Sequence, residues 1–423
     1  MISALSVRPD LFAELSRGGG GPAAMRLLGA ARHSRHLLLL RAIVGEVGAR
    51  AHPQAAATAA GYRELARVER ASPAAVAAVL RYPLVGAWGA HTLLGLLRDD
   101  PAARPERLAA LAAAAAVRGR VPTRTTFPAE EGGAALPSLG RAHLPGLPAG
   151  SPVVLDLTAG AARLDLGGVR MLIPRDPYRQ EGRWQGLRRL APGLLLDDVD
   201  PWRFPGTPSP LDRLPEREVA VWRERLRGGL GLLAGHHRPT AAAMAATTVV
   251  VPLTAPEGGA RSATSRAAYG CVALSLPEDA RSAALALTHE LQHAKLAALM
   301  DLFDLVRDDH GQRFYAPWRE DPRPAGALLQ GAYAHLGVAG FWRAQRHVEA
   351  DAGAHVEFVR WRDASLESAL ALRSSGAVTA LGRRFVAGML HTLTGWLADP
   401  APEDAAATAR RAATRHRARW SHQ

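Results

Sequence analysis

Apolar residues recur every three to four positions through the first 120 residues, which is the spacing of helices with one buried face. The segment Met25–Val47 carries this pattern, "AAVAAVLRYPLVGAWGAHTLLGLL" (residues 74–97) continues it, and "RLAALAAAAAVRGR" (residues 107–120) closes it. His33, His36 and His91 fall on apolar faces here, where core or surface histidines are the ordinary reading.

The texture then changes. Residues 128–151, rich in Gly and Pro, read as a loop, and Pro152–Pro174 reads as two or three short strands with glycine turns. Asp197, Asp198 and Asp200 sit close together in an expected loop. Such a cluster suits a hard cation, but capping or pairing with nearby arginines is the more common outcome. A helix is expected at Glu216–Gly235. Further on, Thr247–Pro256 and Ala268–Leu276 read as buried strands joined by a polar loop, "EGGARSATSR". Pro277 and two acids then open a helix that runs to about Phe303. A second long helix is expected from near Pro324 to about Arg362.

These patterns predict an α+β protein, mostly helical, with a small β-sheet and a metal site between two long C-terminal helices. The expected divisions are a helical region over 1–120, a mixed region over 121–245, a metal-binding region over 246–400 and a basic tail over 401–423. No internal repeat interrupts this reading.

Composition narrows it further. The 423 residues carry 52 basic and 39 acidic side chains, a formal charge of +13, and 48% are hydrophobic, enough for a sizeable core. Lys295 is the single lysine, so nearly all the positive charge is arginine. One cysteine, Cys271, excludes a disulfide framework and a four-cysteine zinc module. The first twenty residues hold no signal-like apolar run, and no stretch nears the ~20 apolar residues of a membrane span, so a cytoplasmic protein is expected. The tail sets Arg410, Arg411, Arg415, Arg417 and Arg419 against Glu403 and Asp404. It reads as a frayed, solvated helix, and a nucleic-acid partner is not expected.

The one strong motif is His289-Glu290-Leu291-Gln292-His293. Residues four apart share a helix face, so both imidazoles can meet one cation, with Glu290 beside them. A third ligand is needed. Leu296 and Leu299 occupy the positions at which a metzincin would have Gly and His, so that class is excluded. Glu349, Glu357 and His335 remain available, with His335 favoured because it stands in an apolar helix beside Gly331, Ala332, Ala334 and Gly337. His347, Asp351 and His355, four apart, form a further polar run; a salt-bridged helix face is its ordinary role. In "APWREDPRP" the prolines stiffen the loop, and Arg319 and Arg323 present planar forks suited to carboxylates, or pair with Glu320 and Asp321.

The segments "HELQHAKLAALMDLF", "FYAPWREDPRPAGALLQGAYAHLGVAGFW" and "SATSRAAYGCVALSLPEDA" together resemble the HExxH peptide-modification family. That family is associated with ribosomally synthesised, post-translationally modified peptides. The resemblance runs from about Thr247 to Arg346 and is looser in "RHSRHLLLLRAIV" and "LLLDDVDPWR". It implies a stand-alone iron(II)- and 2-oxoglutarate-dependent peptide β-hydroxylase that uses O₂ and acts on a precursor peptide. His289, His293 and His335 would then hold iron, with Glu290 handling protons beside it. Arg319, Arg323 or Arg266 would hold 2-oxoglutarate, and Thr264, Ser265 and Trp318 would line the peptide. Two other readings stay open: a zinc metallopeptidase with Glu290 as base, and a non-catalytic module that recognises a peptide.

Overall fold

Proline in the first turn suits a helix, because its missing N–H is one that the helix leaves unpaired anyway. The N-terminal helices use it repeatedly: α1 (Pro9–Ser16), α2 (Pro22–Ala49), α4 (Pro73–Leu80) and α5 (Pro83–Leu97) each start on one. The computed structural model describes residues 6–203, 212–307, 311–349 and 351–421. Over these residues the chain is mixed α+β and mostly helical. It divides into two units, one of residues 1–31, 224–246 and 277–423, the other of residues 32–223 and 247–276. Neither unit is a continuous stretch, and both gather segments from across the regions marked out by composition.

The second unit packs α3 (Ala55–Ala71) and α4 against α6 (Leu108–Gly119). The alanine run of α6, from Ala112 to Ala116, is wholly buried, and such small side chains permit close approach. Among the described residues three sheets stand beside the helices. One is antiparallel in the order β1–β4–β5–β6 (Arg124–Pro128, Pro152–Asp156, Arg163–Leu166 and Val169–Leu172). A second pairs β2 (Gly133–Leu136), β3 (Gly140–His143) and β7 (Trp184–Gly186). The third has the order β11–β12–β10–β9–β8, with β10 (Val249–Leu253) parallel to both β9 (Leu194–Leu196) and β12 (Cys271–Ser275). Its edges are β8 (Arg188–Ala191) and β11 (Ser262–Thr264).

Two expected loops therefore contain strands. Residues 128–151 hold the β2–β3 hairpin, where glycine serves close backbone approach rather than looping: a Cβ on Gly133 would lie 2.1 Å from the Ala142 carbonyl oxygen, and one on Gly140 2.3 Å from that of Gln185. The polar stretch after β10 contains β11, whose partly exposed residues pair along the edge of β12.

The three aspartates are structural. Asp198, fully buried, is shared by Arg188 (2.8 Å) and Arg213 (2.6 Å) and also accepts the Leu214 N–H. Asp200 meets Arg107, which also reaches Glu130. Asp197 caps the turn by accepting the Val199 and Asp200 N–H groups, and Tyr82 donates its hydroxyl to it. Burial, and then Asp200, push the Asp197 carboxyl above its usual range. His36 is a core histidine: its Nδ1–H donates to the Leu80 carbonyl at 2.6 Å, and Gly86 leaves space for its Nε2 edge. His91 lies against Trp202.

The first unit is helical. Its members are α1, the start of α2, α8 (Arg238–Met244), α9 (Ala280–Met300), α10 (Ala325–Gln345), α11 (Ala352–Ser374), α12 (Ala380–Gly395) and α13 (Glu403–Ser421), together with the end of α7 (Glu216–His236). Among the described residues no helix is long and apolar enough to cross a membrane. The long helix expected from Pro324 to Arg362 is broken. Its first half ends at Gln345, and Asp351 starts a new helix by accepting the Gly353 N–H. The basic tail is a regular helix seated on α11, with Ala405 and Ala409 buried, instead of a frayed one.

Asp198→Ala should cost about 3–5 kcal/mol in urea unfolding, since it strands two arginines beside an apolar core. Asp165→Ala, which breaks an exposed pair with Arg170, should cost under about 1 kcal/mol. Burial also holds His36 down to about 4 against an ordinary 6.5. Below pH 6.5 the unfolded chain takes up this proton and the folded chain does not. Stability is therefore complete above that pH and falls as pH drops towards 4. In His36→Gln the fall should be shallower, read as denaturation midpoints across that range.

Candidate functional site

Helix α9 carries the histidine motif and is held by its first turn and its back. Asp279 caps it by accepting the Ser282 N–H at 2.7 Å. Behind it, α7 presents Gly228 and Gly229; a Cβ on Gly229 would stand 2.9 Å from that of Ala283 and 3.0 Å from the Ala284 nitrogen. The small residues that precede the motif thus let two helices touch along their backbones. On another side α10 packs against α9.

The two motif imidazoles converge. His289 Nε2 and His293 Nε2 are 3.1 Å apart, with ring planes at 76°. His293 Nδ1 lies 3.1 Å from the Gln330 amide oxygen, while the Gln330 amide nitrogen faces Met300 Sδ at 3.5 Å. That arrangement orients the amide, so Nδ1 of His293 carries the proton and its Nε2 lone pair points to His289. Two nitrogens bound to one first-row cation at ~2.0–2.1 Å in a tetrahedron stand roughly 3.3 Å apart, close to what is seen. The donor chemistry and its spacing fit a metal. His289 is held well below its ordinary pKa, by burial first and then by His293 and His335, which keeps it neutral and able to bind a cation.

His335 is the third ring of the cluster. It stands edge-on to His289, with centroids 5.2 Å apart. Trp318 stacks on one face at 4.6 Å and Trp361 on the other at 4.4 Å. Its Nδ1–H donates to the Gly331 carbonyl at 2.8 Å, and burial holds it down to about 4. The expected three-ligand set is nevertheless not closed. Among the described residues no group of three or more His, Cys, Asp or Glu side chains is arranged to hold a metal ion. Two indoles and a main-chain carbonyl fix the His335 ring beside the pair instead of on it.

Glu290 is buried, with Oε1 3.9 Å from His289 Nε2. The two acidic alternatives for the third ligand are engaged elsewhere. Glu349 pairs with Arg281 and accepts from Gln345, and Glu357 accepts the Trp361 indole N–H at 2.6 Å and lies near Arg360. The break between α10 and α11 removes the common face expected for His347, Asp351 and His355; Asp351 caps α11 and meets Arg281.

Arg319 and Arg323 take the ordinary role weighed for them. Both bind Asp321, at 2.6 and 2.8 Å, and together they hold its carboxyl down to about 2. Glu320 is met by Arg419 of α13. Thr264 ends β11, while Ser265 and Arg266 follow it in a turn where Ser265 Oγ accepts the Ala267 N–H. These three belong to the second unit, and the histidines to the first.

Sequence reasoning missed Gln330 and Trp361. Gln330 lies six residues after Pro324 on the same helix as His335, so a search for partners of the motif imidazoles could have reached it. Trp361 carries no such signal, because its place depends on the path of the chain between α10 and α11.

A Cβ on Gly331 would meet Trp318 Cζ2 at 2.2 Å. Gly331→Ala should therefore strip one indole from His335, altering the near-ultraviolet circular dichroism and lowering stability by about 1–3 kcal/mol. An unchanged spectrum and stability would show that the stack does not need this glycine. Compared with the models of known families and with curated proteins, the chain matches none, so the resemblance stands on its motif residues alone.

Proposed function

We propose that the protein is an iron(II)- and 2-oxoglutarate-dependent hydroxylase that acts on the β-carbon of a residue in a ribosomally made precursor peptide. The observation that carries a metal-dependent reading is the 3.1 Å approach of two imidazole Nε2 atoms, one with its tautomer set by Gln330. The choice of hydroxylase is supported by the resemblance in the motif segments and by a third imidazole, not a carboxylate, beside the pair.

In this reading His289 and His293 would hold the cation, with His335 beside them as the third candidate ligand. Bound iron with 2-oxoglutarate supplies a two-electron oxidation: C–H becomes C–OH, O₂ is consumed, and 2-oxoglutarate leaves as succinate and CO₂. The chain's own residues prepare that centre. Gln330 keeps the His293 proton on Nδ1 and its lone pair available. Trp318 and Trp361 cover both faces of His335 and exclude water from it, and Glu357 holds Trp361 in place. Glu290 brings a buried carboxylate close to His289. Its closeness favours a second reading, a zinc peptidase in which Glu290 takes the proton of the attacking water.

The protein should add one oxygen atom to a candidate peptide in the presence of iron(II), ascorbate and 2-oxoglutarate, as read by mass spectrometry. Cleavage that persists without 2-oxoglutarate would establish the peptidase instead. Gln330→Ala should weaken metal affinity about 10–100-fold with the fold intact, as expected for a residue that orients a ligand. Full metal content in His289→Ala would sink both readings.

A further inference from the structure

Helix α9 has a second face that borders a cavity. Thr288, Leu291, Gln292 and Lys295 project roughly a third of a turn away from His289 and His293. With residues of α8, α10 and the Arg17–Gly20 segment, they enclose a cavity of about 300 Å³ that lies within the first unit. That volume is at the small end of the ~300–1,000 Å³ typical of ligand pockets.

The walls have two characters. Leu291, Leu336, Phe341 and Trp396 supply an apolar body. His237 lies flat on Phe341, with centroids 4.5 Å apart, and its Nε2 is 3.0 Å from the Gln345 amide oxygen. The polar groups are cationic or neutral: Arg17 is exposed, Lys295 is buried, and among the described residues no Asp or Glu lines the space. Lys295 donates to the Gly18 and Gly19 carbonyls at 3.1 and 2.6 Å, which uses two of its three N–H bonds. Gln292 Nε2 also donates to Gly18, at 2.9 Å. Among the described residues Lys295, the only lysine in the sequence, hydrogen-bonds main-chain carbonyls, has Glu14 as the carboxylate that acts on it electrostatically, and borders this apolar space.

We propose that this cavity binds a small organic carboxylate with an apolar body, its carboxylate directed to Lys295 and Arg17 and its body against Leu336, Phe341 and Trp396. An apolar lining with a few convergent donors and no acid in its wall is complementary to such an anion, although the Glu14 carboxylate acts on Lys295 from outside the wall. The proposal does not use the histidine pair, and its assay reads no metal, so either reading can fail alone.

Phenylacetate and phenylacetamide share a shape and differ in charge. Titrated calorimetrically into the full chain, phenylacetate should bind at least tenfold more tightly than the amide. Arg17→Gln should weaken phenylacetate several-fold and leave the amide unchanged. Ala344→Phe, or Thr240→Phe on α8, should fill the cavity and abolish binding while circular dichroism stays native. Absence of heat with phenylacetate up to roughly 10 mM, equal affinities for the two compounds, or undiminished binding in a folded cavity-filling variant would each overturn the proposal.

Discussion

Close contact between helix backbones is the constraint on which the histidine cluster depends. Helix α9 can present two imidazoles to one point only if its other sides are filled by elements that come very near. Glycine makes this possible at three places. Gly229 admits Ala283, Gly337 admits the Gln292 side chain with only 2.5 Å between its would-be Cβ and Cγ, and Gly331 admits the Trp318 indole. A methyl group at any of them would meet atoms that the surrounding packing holds in place. The same approach brings Gln330 to His293 and sets His335 beside His289. Packing and site chemistry are thus one problem here, because the residues that close the interface also fix the ring orientations.

Polar groups are buried in both units under the same rule, that burial is tolerated when each group finds a partner of suitable geometry. In the second unit, Asp197, Asp198 and Asp200 gather main-chain N–H groups, Tyr82 and the forks of Arg107, Arg188 and Arg213. In the first, Lys295 is pushed to about 7 by burial and holds two carbonyls of the glycine segment. The +13 charge consequently tells little about partners. Much of the arginine is spent on internal pairs, and the tail arginines include Arg419, which meets Glu320, and Arg410, which meets Glu403.

The strands show where local reading stops. Residues 152–174 alternate apolar and polar positions and formed strands as expected, because one face is buried and the period of two is visible. The β2–β3 hairpin was hidden because its glycines look like punctuation, whereas here they admit a neighbouring strand. The break after Gln345 was hidden as well, since no proline or glycine marks it; Asp351 ends one reading and begins another only through its cap on Gly353. Arg319 and Arg323 were legible as carboxylate binders, and they do bind a carboxylate, that of Asp321 two residues from each.

The sequence by itself determined the helical frame, the two buried strands and the pairing of His289 with His293, since each of these follows from a period or spacing that acts within one element; that the strands run parallel was decided by the sheet. Tertiary structure decided the rest. Whether His335, Glu349 or Glu357 stands nearest the pair, which amide sets the His293 tautomer, and that two indoles enclose the third ring all depend on distances between elements. So does the cavity behind α9, whose walls come from segments more than 300 positions apart in the chain. Periodicity records which face of a helix is buried, but the partners waiting at that face are chosen by the packing of the whole unit.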